Sequence, residues 1–245
     1  MKVLGIIPAR FDSTRLPGKP LAMINGKPMI QLVYEQVLNS GAVDEVAIAT
    51  DDERIVSAAK NFGAKVFLTN KNHTSGTRRC AEVAEHYKNE FDVVLNIQGD
   101  EPFIAAEQLD LVRQLLEKDF VKIVSLVKKI SSKEELENPN VVKAVKSIDG
   151  KALYFSRTAI PFMRNAEADF RNQFSFFRHI GLYGFKTKTL LEIATLPSSP
   201  LELAESLEQL GWMENGHEIH LTETEIETLS IDTPEDLAKA NALLT

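Results

Sequence analysis

The sequence has one cysteine, Cys80, so no internal disulfide can form, and that fits a reducing compartment. A lone cysteine of this kind is expected to be a small buried hydrophobe. Its one tryptophan, Trp212, is expected to pack. Positive charge is scarce: 28 Lys and Arg against 35 Asp and Glu give a net charge of -7. An acidic balance of this size argues against a general nucleic-acid binder, which needs a basic face for counterion release. No apolar run approaches the length of a membrane span. The opening run Val3–Ile7 is too short for a signal peptide and meets Pro8 at once. The expectation is a soluble, cytoplasmic chain with no nucleic-acid and no membrane partner. Repeats and low-complexity linkers are missing too, so residues 1–245 read as a single domain. Both standard phosphate signatures are absent: Gly18-Lys19 is followed by Pro20, and no G-x-G-x-x-G occurs.

What is present is a strand–helix alternation. Val3–Ile7, Glu45–Thr50, Lys65–Leu68 and Val93–Ile97 read as strands. Helices are expected over Pro28–Ser40, Asp52–Phe62, Ser75–Lys88 and Ala105–Lys118. Strands apolar on both faces imply an α/β fold with a mostly parallel central sheet covered by helices. From about Phe120 the pattern changes. Val121–Ile130, Val141–Ser147, Leu153–Ser156 and Arg178–Phe185 read as strands with little helix between them, which predicts an inserted antiparallel lobe or sheet extension at about 120–185. The polar stretch 162–175 reads as a loop. A helix over Leu201–Gly211 with a buried Leu203, Leu207 and Leu210 stripe, a strand over Glu218–Leu221 and a helix over Pro234–Leu244 complete the chain.

Five stretches carry candidate chemistry. Up to Lys27 the basic residues Lys2, Arg10, Arg15, Lys19 and Lys27 face one acid, Asp12. Pro17-Gly18 suits a type II turn that would aim Lys19 in a fixed direction. Arg10, Arg15 and Lys19 then either converge on a triphosphate or form a solvated basic loop. The strand at 93–97 ends in Gly99 and delivers Asp100 and Glu101 to the carboxyl edge of the sheet, where such folds bind ligands. Hard oxygens there suit Mg²⁺, and a polar turn is the alternative. Thr233, Pro234 and Asp236 form a helix start with a capping box, which leaves Asp232 free of capping duty as a second metal ligand or a surface turn. In Arg178–Gly184, strand alternation sets His179, Gly181 and Tyr183 on one face, suited to a small polar ligand or to a structural role. The helix after Ser199-Pro200 starts with a capping box, and Glu208 and Gln209 on it read by default as a solvated face.

Taken in order, these fragments resemble one family. They are Pro-Ala-Arg-x-x-Ser-x-Arg-x-Pro-Gly-Lys at 8–19, His-x-Ser-Gly-Thr at 73–77, Asn-x-Gln-Gly-Asp-Glu-Pro at 96–102, Ala-Leu-Tyr-Phe-Ser-Arg at 152–157, His-x-Gly-x-Tyr at 179–183, Leu-Glu-Gln-Leu at 207–210 and Asp-Thr-Pro-Glu-Asp at 232–236. Together they resemble the 3-deoxy-manno-octulosonate (Kdo) cytidylyltransferases. The resemblance implies a Rossmann-like nucleotidyltransferase whose inserted lobe serves sugar binding and dimerisation. It implies CTP and Kdo as substrates, Mg²⁺ as cofactor, a role in lipopolysaccharide biosynthesis and a homodimer. By the same resemblance Ala9, Arg10, Arg15, Lys19, Ser75 and Gly76 would bind the nucleotide, and Asp100 and Asp232 would hold Mg²⁺. Gln98, Arg157, His179, Tyr183, Glu208 and Gln209 would line the sugar-acid pocket, with Arg157 facing the substrate carboxylate. Asp100, Asp232, Lys19 and Arg15 would carry the catalysis. Two positions depart from the pattern: Arg78 stands where an acid is expected, and Gly211 where an arginine is expected. They keep open a cytidylyltransferase for another sugar acid, such as 8-amino-Kdo or a sialic acid. A non-catalytic nucleotide-sensing module is the reading from a different class.

Overall fold

The computed structural model describes residues 1–13, 15–87, 90–164 and 173–243, so most of the expected 162–175 loop lies outside the described residues. In chain order come β1 (Val3–Ala9), a 3-10 turn (Lys19–Leu21), the hairpin strands β2 (Met23–Ile24) and β3 (Lys27–Pro28), α1 (Met29–Asn39), β4 (Glu45–Thr50), α2 (Glu53–Asn61), β5 (Lys65–Leu68), α3 (Gly76–His86), β6 (Val93–Asn96) and α4 (Ala106–Leu116). Then follow β7 (Ile123–Lys129), α5 (Lys133–Glu137), β8 (Lys143–Lys146), β9 (Ala152–Ser156), β10 (Phe177–Lys186), α6 (Thr187–Ile193), α7 (Pro200–Glu205), α8 (Glu208–Glu214), β11 (Ile219–Glu223) and α9 (Pro234–Leu243).

The main sheet runs β11-β7-β10-β6-β1-β4-β5. β1 pairs in parallel with β4 and β6, β4 with β5, and β11 with β7. β10 runs antiparallel between β6 and β7. Of the 120–185 segment, β7 and β10 lie within this sheet, while β8 and β9 extend it antiparallel from β10. Successive residues of β1 serve opposite faces. Leu4 and Ile6 pack with Cys80 and Val83 of α3, Leu190 of α6 and Trp212 of α8. Val3 and Ile7 pack with Ile30 and Val33 of α1, Ile55 of α2 and Val112 of α4. Helices on both sides explain why the strands are apolar throughout.

Two local signals behave as the sequence chemistry dictates. Ser75 caps α3 by accepting from the Arg78 N–H, and Ser199 caps α7 through a capping box with Glu202. One expectation is corrected. The single helix foreseen over Leu201–Gly211 is broken at Ser206, which adopts the left-handed conformation with φ 52°, and α8 restarts two residues later. The break turns Leu203 out to 69% exposure while Leu207 and Leu210 stay buried. It also turns Gln209 inward, so the solvated-face reading fails there. The short helices α5 and α6 were not foreseen, being too brief to show a helical period.

Gly184 is required by packing. A Cβ there would lie 2.4 Å from Val112 Cγ1 and 2.6 Å from Leu116 Cδ1, where α4 crosses β10. Gly184→Val is therefore expected to destabilise the fold by about 2–3 kcal/mol through overpacking. Urea unfolding curves of the two proteins check this, and coincident midpoints would contradict it.

Candidate functional site

A cleft of about 420 Å³ opens beyond the carboxyl ends of β1 and β6, lined by Ala9, Arg10, Arg15, Lys19, Gly76, Gln98, Asp100 and Asp232 among others. Its basic loop is shaped locally. Gly18 has φ 68°, and Lys19 N–H donates to Leu16 O at 3.1 Å, closing the turn expected from Pro17-Gly18. A side chain at Gly18 would also meet the Phe11 ring at 3.1 Å. Lys19 thus points inward. Its Nζ donates to Asp100 Oδ2 at 2.5 Å and to Asp232 Oδ1 at 2.9 Å, while Arg15 reaches the same Asp232 oxygen at 3.0 Å. Burial works against the Lys19 ammonium, but the two carboxylates outweigh it and raise its pKa.

Asp232 comes into reach from the far end of the chain through a small apolar cluster. Ile231 and Ala240 pack with Ile24 and Met29, with Leu16 against them, and Ile231 N–H donates to Asp100 O at 2.9 Å. Thr233 and Asp236 exchange the capping hydrogen bonds of α9, which leaves the Asp232 carboxylate to the cleft. Beside them Glu101 is pushed up to about 7, first by burial and then by neighbouring Asp100, while Thr228 donates to it at 3.0 Å. On the opposite rim Arg10 donates to His73 O at 2.6 Å, and Gly76 approaches Pro8 so closely that a Cβ would lie 3.3 Å from its ring. Of the nucleotide set expected from the sequence, Ala9, Arg10, Arg15, Lys19 and Gly76 share this cleft, whereas Ser75, the α3 cap, lines another cavity of about 290 Å³.

A polar cluster adjoins it. Gln98 donates to Gly181 O at 3.2 Å, and the His179 and Tyr183 rings lie 5.2 Å apart. Trp212 packs edge-on against Tyr183 at 5.1 Å, as its expected packing role requires. Between Ile180 and Tyr183, β10 bulges against β7, and Ser125 fills the bulge. Its hydroxyl lies 2.9 Å from Leu182 O and 2.8 Å from His179 Nε2. If that hydroxyl donates to the carbonyl, His179 donates from Nε2 and keeps Nδ1 as an acceptor. Burial holds His179 down to about 4. Glu208 accepts from Thr77 Oγ1 at 2.6 Å, and burial pushes its carboxyl up against the pull of the Thr77 and Ser75 hydroxyls. Asn96 Nδ2 reaches Thr77 at 3.5 Å, and the buried hydroxyl of Tyr183 has no hydrogen-bond partner among the described residues.

Arg157 stands apart from this cluster. Its guanidinium donates to the main-chain oxygens of Glu205, Ser206 and Pro139. Thr77, Asn96 and Ser125 belong to the cluster without having been singled out individually. Thr77 and Asn96 sit inside motifs already noted, whereas nothing local marks Ser125.

The protonation state of His179 has a measurable consequence. Its folded pKa lies below the ordinary 6.5, so the stability it contributes is present above pH 6.5 and is lost as pH falls towards 4, when only the unfolded chain takes up the proton. Between those limits the native protein is expected to lose on the order of 2 kcal/mol more than His179→Gln. Denaturant titrations across that window check it, and parallel stability curves would count against it.

The family profile described as cytidylyltransferase matches residues 4–219. The chain is 52% identical to the 3-deoxy-manno-octulosonate cytidylyltransferase of Phocaeicola vulgatus, with 100% of this chain and 98% of that protein covered. It is 48% identical to the protein of that name from Cytophaga hutchinsonii, over 98% of this chain and 96% of the relative. Among solved structures, a CMP:2-keto-3-deoxy-manno-octonic acid synthetase complexed with CTP superposes with a TM-score of 0.91 at 41% identity, covering 100% of this chain and 98% of the other. A putative glucose-1-phosphate thymidylyltransferase from Bacillus anthracis, 17% identical with a TM-score of 0.68 over 98% of this chain and 94% of its own, shares the fold. On these matches along its whole length, the chain belongs to the 3-deoxy-manno-octulosonate cytidylyltransferase family.

Proposed function

We propose that this chain transfers the cytidylyl group of CTP to Kdo, giving CMP-Kdo and pyrophosphate. The observation that carries the reading is the convergence of Lys19, Arg15, Asp100 and Asp232 in one cleft, beside the polar cluster of Gln98, His179, Tyr183 and Glu208. Relatives of that name and a CTP-bound structural neighbour support it.

In this reading the anomeric hydroxyl of Kdo attacks the α-phosphorus in line with departing pyrophosphate. Catalysis is then positioning plus neutralisation of charge. Arg10, Arg15 and Lys19 bind the triphosphate oxygens, and Ala9, Ser75 and Gly76 border the base. The donor set fits Mg²⁺: two hard carboxylates lie within ion-pair distance of a single cationic atom, Lys19 Nζ. Mg²⁺ usually takes one or two carboxylates, with substrate phosphates and water completing the shell. Mg²⁺ held by Asp100 and Asp232 would polarise the α-phosphate and ease ionisation of the attacking hydroxyl. His179, neutral at pH 7, offers a hydrogen-bond acceptor to a sugar hydroxyl, and Glu208 offers its carboxyl group. The same reading expects a homodimer that works in the cytoplasm and supplies lipopolysaccharide synthesis. Among the described residues no helix is long and apolar enough to cross a membrane.

One observation favours a second reading. Arg78 and Gly211, the two departures from the family pattern, both line a cavity of about 290 Å³ that Glu208 also borders. A sugar acid other than Kdo would be selected there. Pyrophosphate release with each of the four nucleotides against Kdo, 8-amino-Kdo and a sialic acid tests all of these. Turnover with CTP and Kdo alone is the expected result. Turnover with CTP and only another acid would transfer the assignment to that acid. CTP binding without any release would make the chain a nucleotide sensor.

A further inference from the structure

We propose that Arg54, aimed by Asp52 over the face of the Phe11 ring, pins the loop that carries Arg10, Arg15 and Lys19 and so sets how tightly the protein holds a triphosphate. Arg54 is a positioning residue: it acts through Phe11 and the loop. The proposal rests on the reading above that those three cations bind the triphosphate oxygens.

Cationic side chains crowd the loop between β1 and the 3-10 turn. Arg10, Arg15 and Lys19 are accompanied there by one acid, Asp12, and like charges so placed repel unless the backbone is held. Gly18 N–H donates to Phe11 O at 3.1 Å and draws the two ends of the loop together. Phe11 is the one aromatic residue between Ala9 and Lys19, and its half-buried ring packs against the core that contains Ile30 of α1 and Ile55 of α2. The far edge of that ring meets Gly18, where a Cβ would lie 3.1 Å from Cζ and 3.3 Å from Cε2. Phe11 thus ties both ends of the loop to the body of the protein.

Arg54 holds the ring from the first turn of α2. Its guanidinium carbon lies 3.2 Å from the Phe11 centroid, over the ring face, where the quadrupole attracts a cation. Asp52 fixes the direction of that side chain. Nε donates to Asp52 Oδ1 at 2.8 Å and Nη2 to Oδ2 at 2.6 Å, a two-point pairing that sets the guanidinium plane. Asp52 is itself held, because Oδ1 also caps α2 by accepting from the Arg54 N–H at 2.9 Å. The Arg54 hydrogen bonds bring the Asp52 carboxyl down to about 2, so the pair is charged at neutral pH. An exposed ion pair contributes little to stability by itself. Its use here is to aim a planar cation at the ring on which the loop is hung. A guanidinium can stack and pair at two points at once, which an ammonium cannot.

The test is titration calorimetry of CTP with magnesium, together with steady-state kinetics in which CTP and sugar acid are varied separately. An exposed cation–π contact corresponds to about a 2–5-fold change in an equilibrium, so Arg54→Gln is expected to weaken CTP binding and raise the CTP KM by about that factor. The sugar-acid KM should stay at its wild-type value. Phe11→Leu, which keeps an apolar side chain and removes the ring, should weaken CTP at least as much, and Phe11→Tyr should restore it. Adding Arg54→Gln to Phe11→Leu should cause no further loss, because both changes remove the same contact. Wild-type CTP affinity in Arg54→Gln would overturn the proposal, as would additive losses in the double variant. A sugar-acid KM that rises in step with the CTP KM would also overturn it, by showing a general structural role. Should Phe11→Leu fail to fold, Asp52→Asn keeps a good helix cap and removes the charge that aims Arg54. Unaltered CTP binding in that variant would sink the idea. Arg15→Gln, titrated in parallel, separates the two claims: undiminished CTP affinity there refutes the reading of Arg15 as a triphosphate ligand and not the pinning of the loop.

Discussion

Asp100→Asn is expected to lower pyrophosphate release by about 100-fold or more, corresponding to about 3 kcal/mol of lost stabilisation, while leaving the fold intact. The carboxylate of Asp100 pairs with Lys19 and with no other basic group among the described residues. The anchoring of its segment is main-chain: Ile231 N–H donates to Asp100 O, and Asn preserves that bond. What disappears is the charge of one of the two carboxylates that share the Lys19 ammonium. Rates at saturating magnesium, with circular dichroism and thermal midpoints as controls, check this. Near-normal turnover in a folded variant would remove Asp100 from the metal assignment.

Lys19→Met should separate two properties that the wild type couples. The ammonium touches both Asp100 and Asp232, so it competes for the very oxygens a divalent cation would use. Without it, Mn²⁺ should bind the nucleotide-free protein more tightly, because among the described residues the two carboxylates keep only Arg15 as a cationic partner. Turnover should nevertheless fall by about 100-fold, since a cation facing the triphosphate is gone. Calorimetric or electron-spin titration of Mn²⁺ in the absence of CTP reads the first effect, and pyrophosphate release reads the second. Unchanged or weaker Mn²⁺ binding would show that Lys19 does not compete with the metal. Together the two variants ask whether this lysine guards the acids until triphosphate draws it away.

Much of the site was legible because its parts are local. The Pro17-Gly18 turn that aims Lys19, the strand that ends before Asp100, and the Thr233–Asp236 cap that releases Asp232 are each encoded within a few residues. The His179 and Tyr183 pairing followed from strand alternation, which survives the bulge beside Ser125. Resemblance then joined the fragments into one nucleotidyltransferase pattern. It also suggested a carboxylate-binding role for Arg157, whose guanidinium makes three hydrogen bonds to main-chain oxygens.

The α7–α8 region shows where such reading stops. Leu203, Leu207 and Leu210 have helical spacing, yet the helix breaks because Arg157 and Glu205 hold Ser206 in a left-handed turn from 48 or more residues away. Likewise β10 inserts antiparallel between β6 and β7, and α4 packs over it only because residue 184 is glycine. The sequence by itself determined the alternation of elements, their caps and turns, and which side chains carry charge, since these depend on neighbours within a turn or two. Only the tertiary structure decided that Asp100 and Asp232 meet on one ammonium and that Gln209 faces inward. Those outcomes depend on burial and hydrogen bonds between segments up to 213 residues apart, which no local period records.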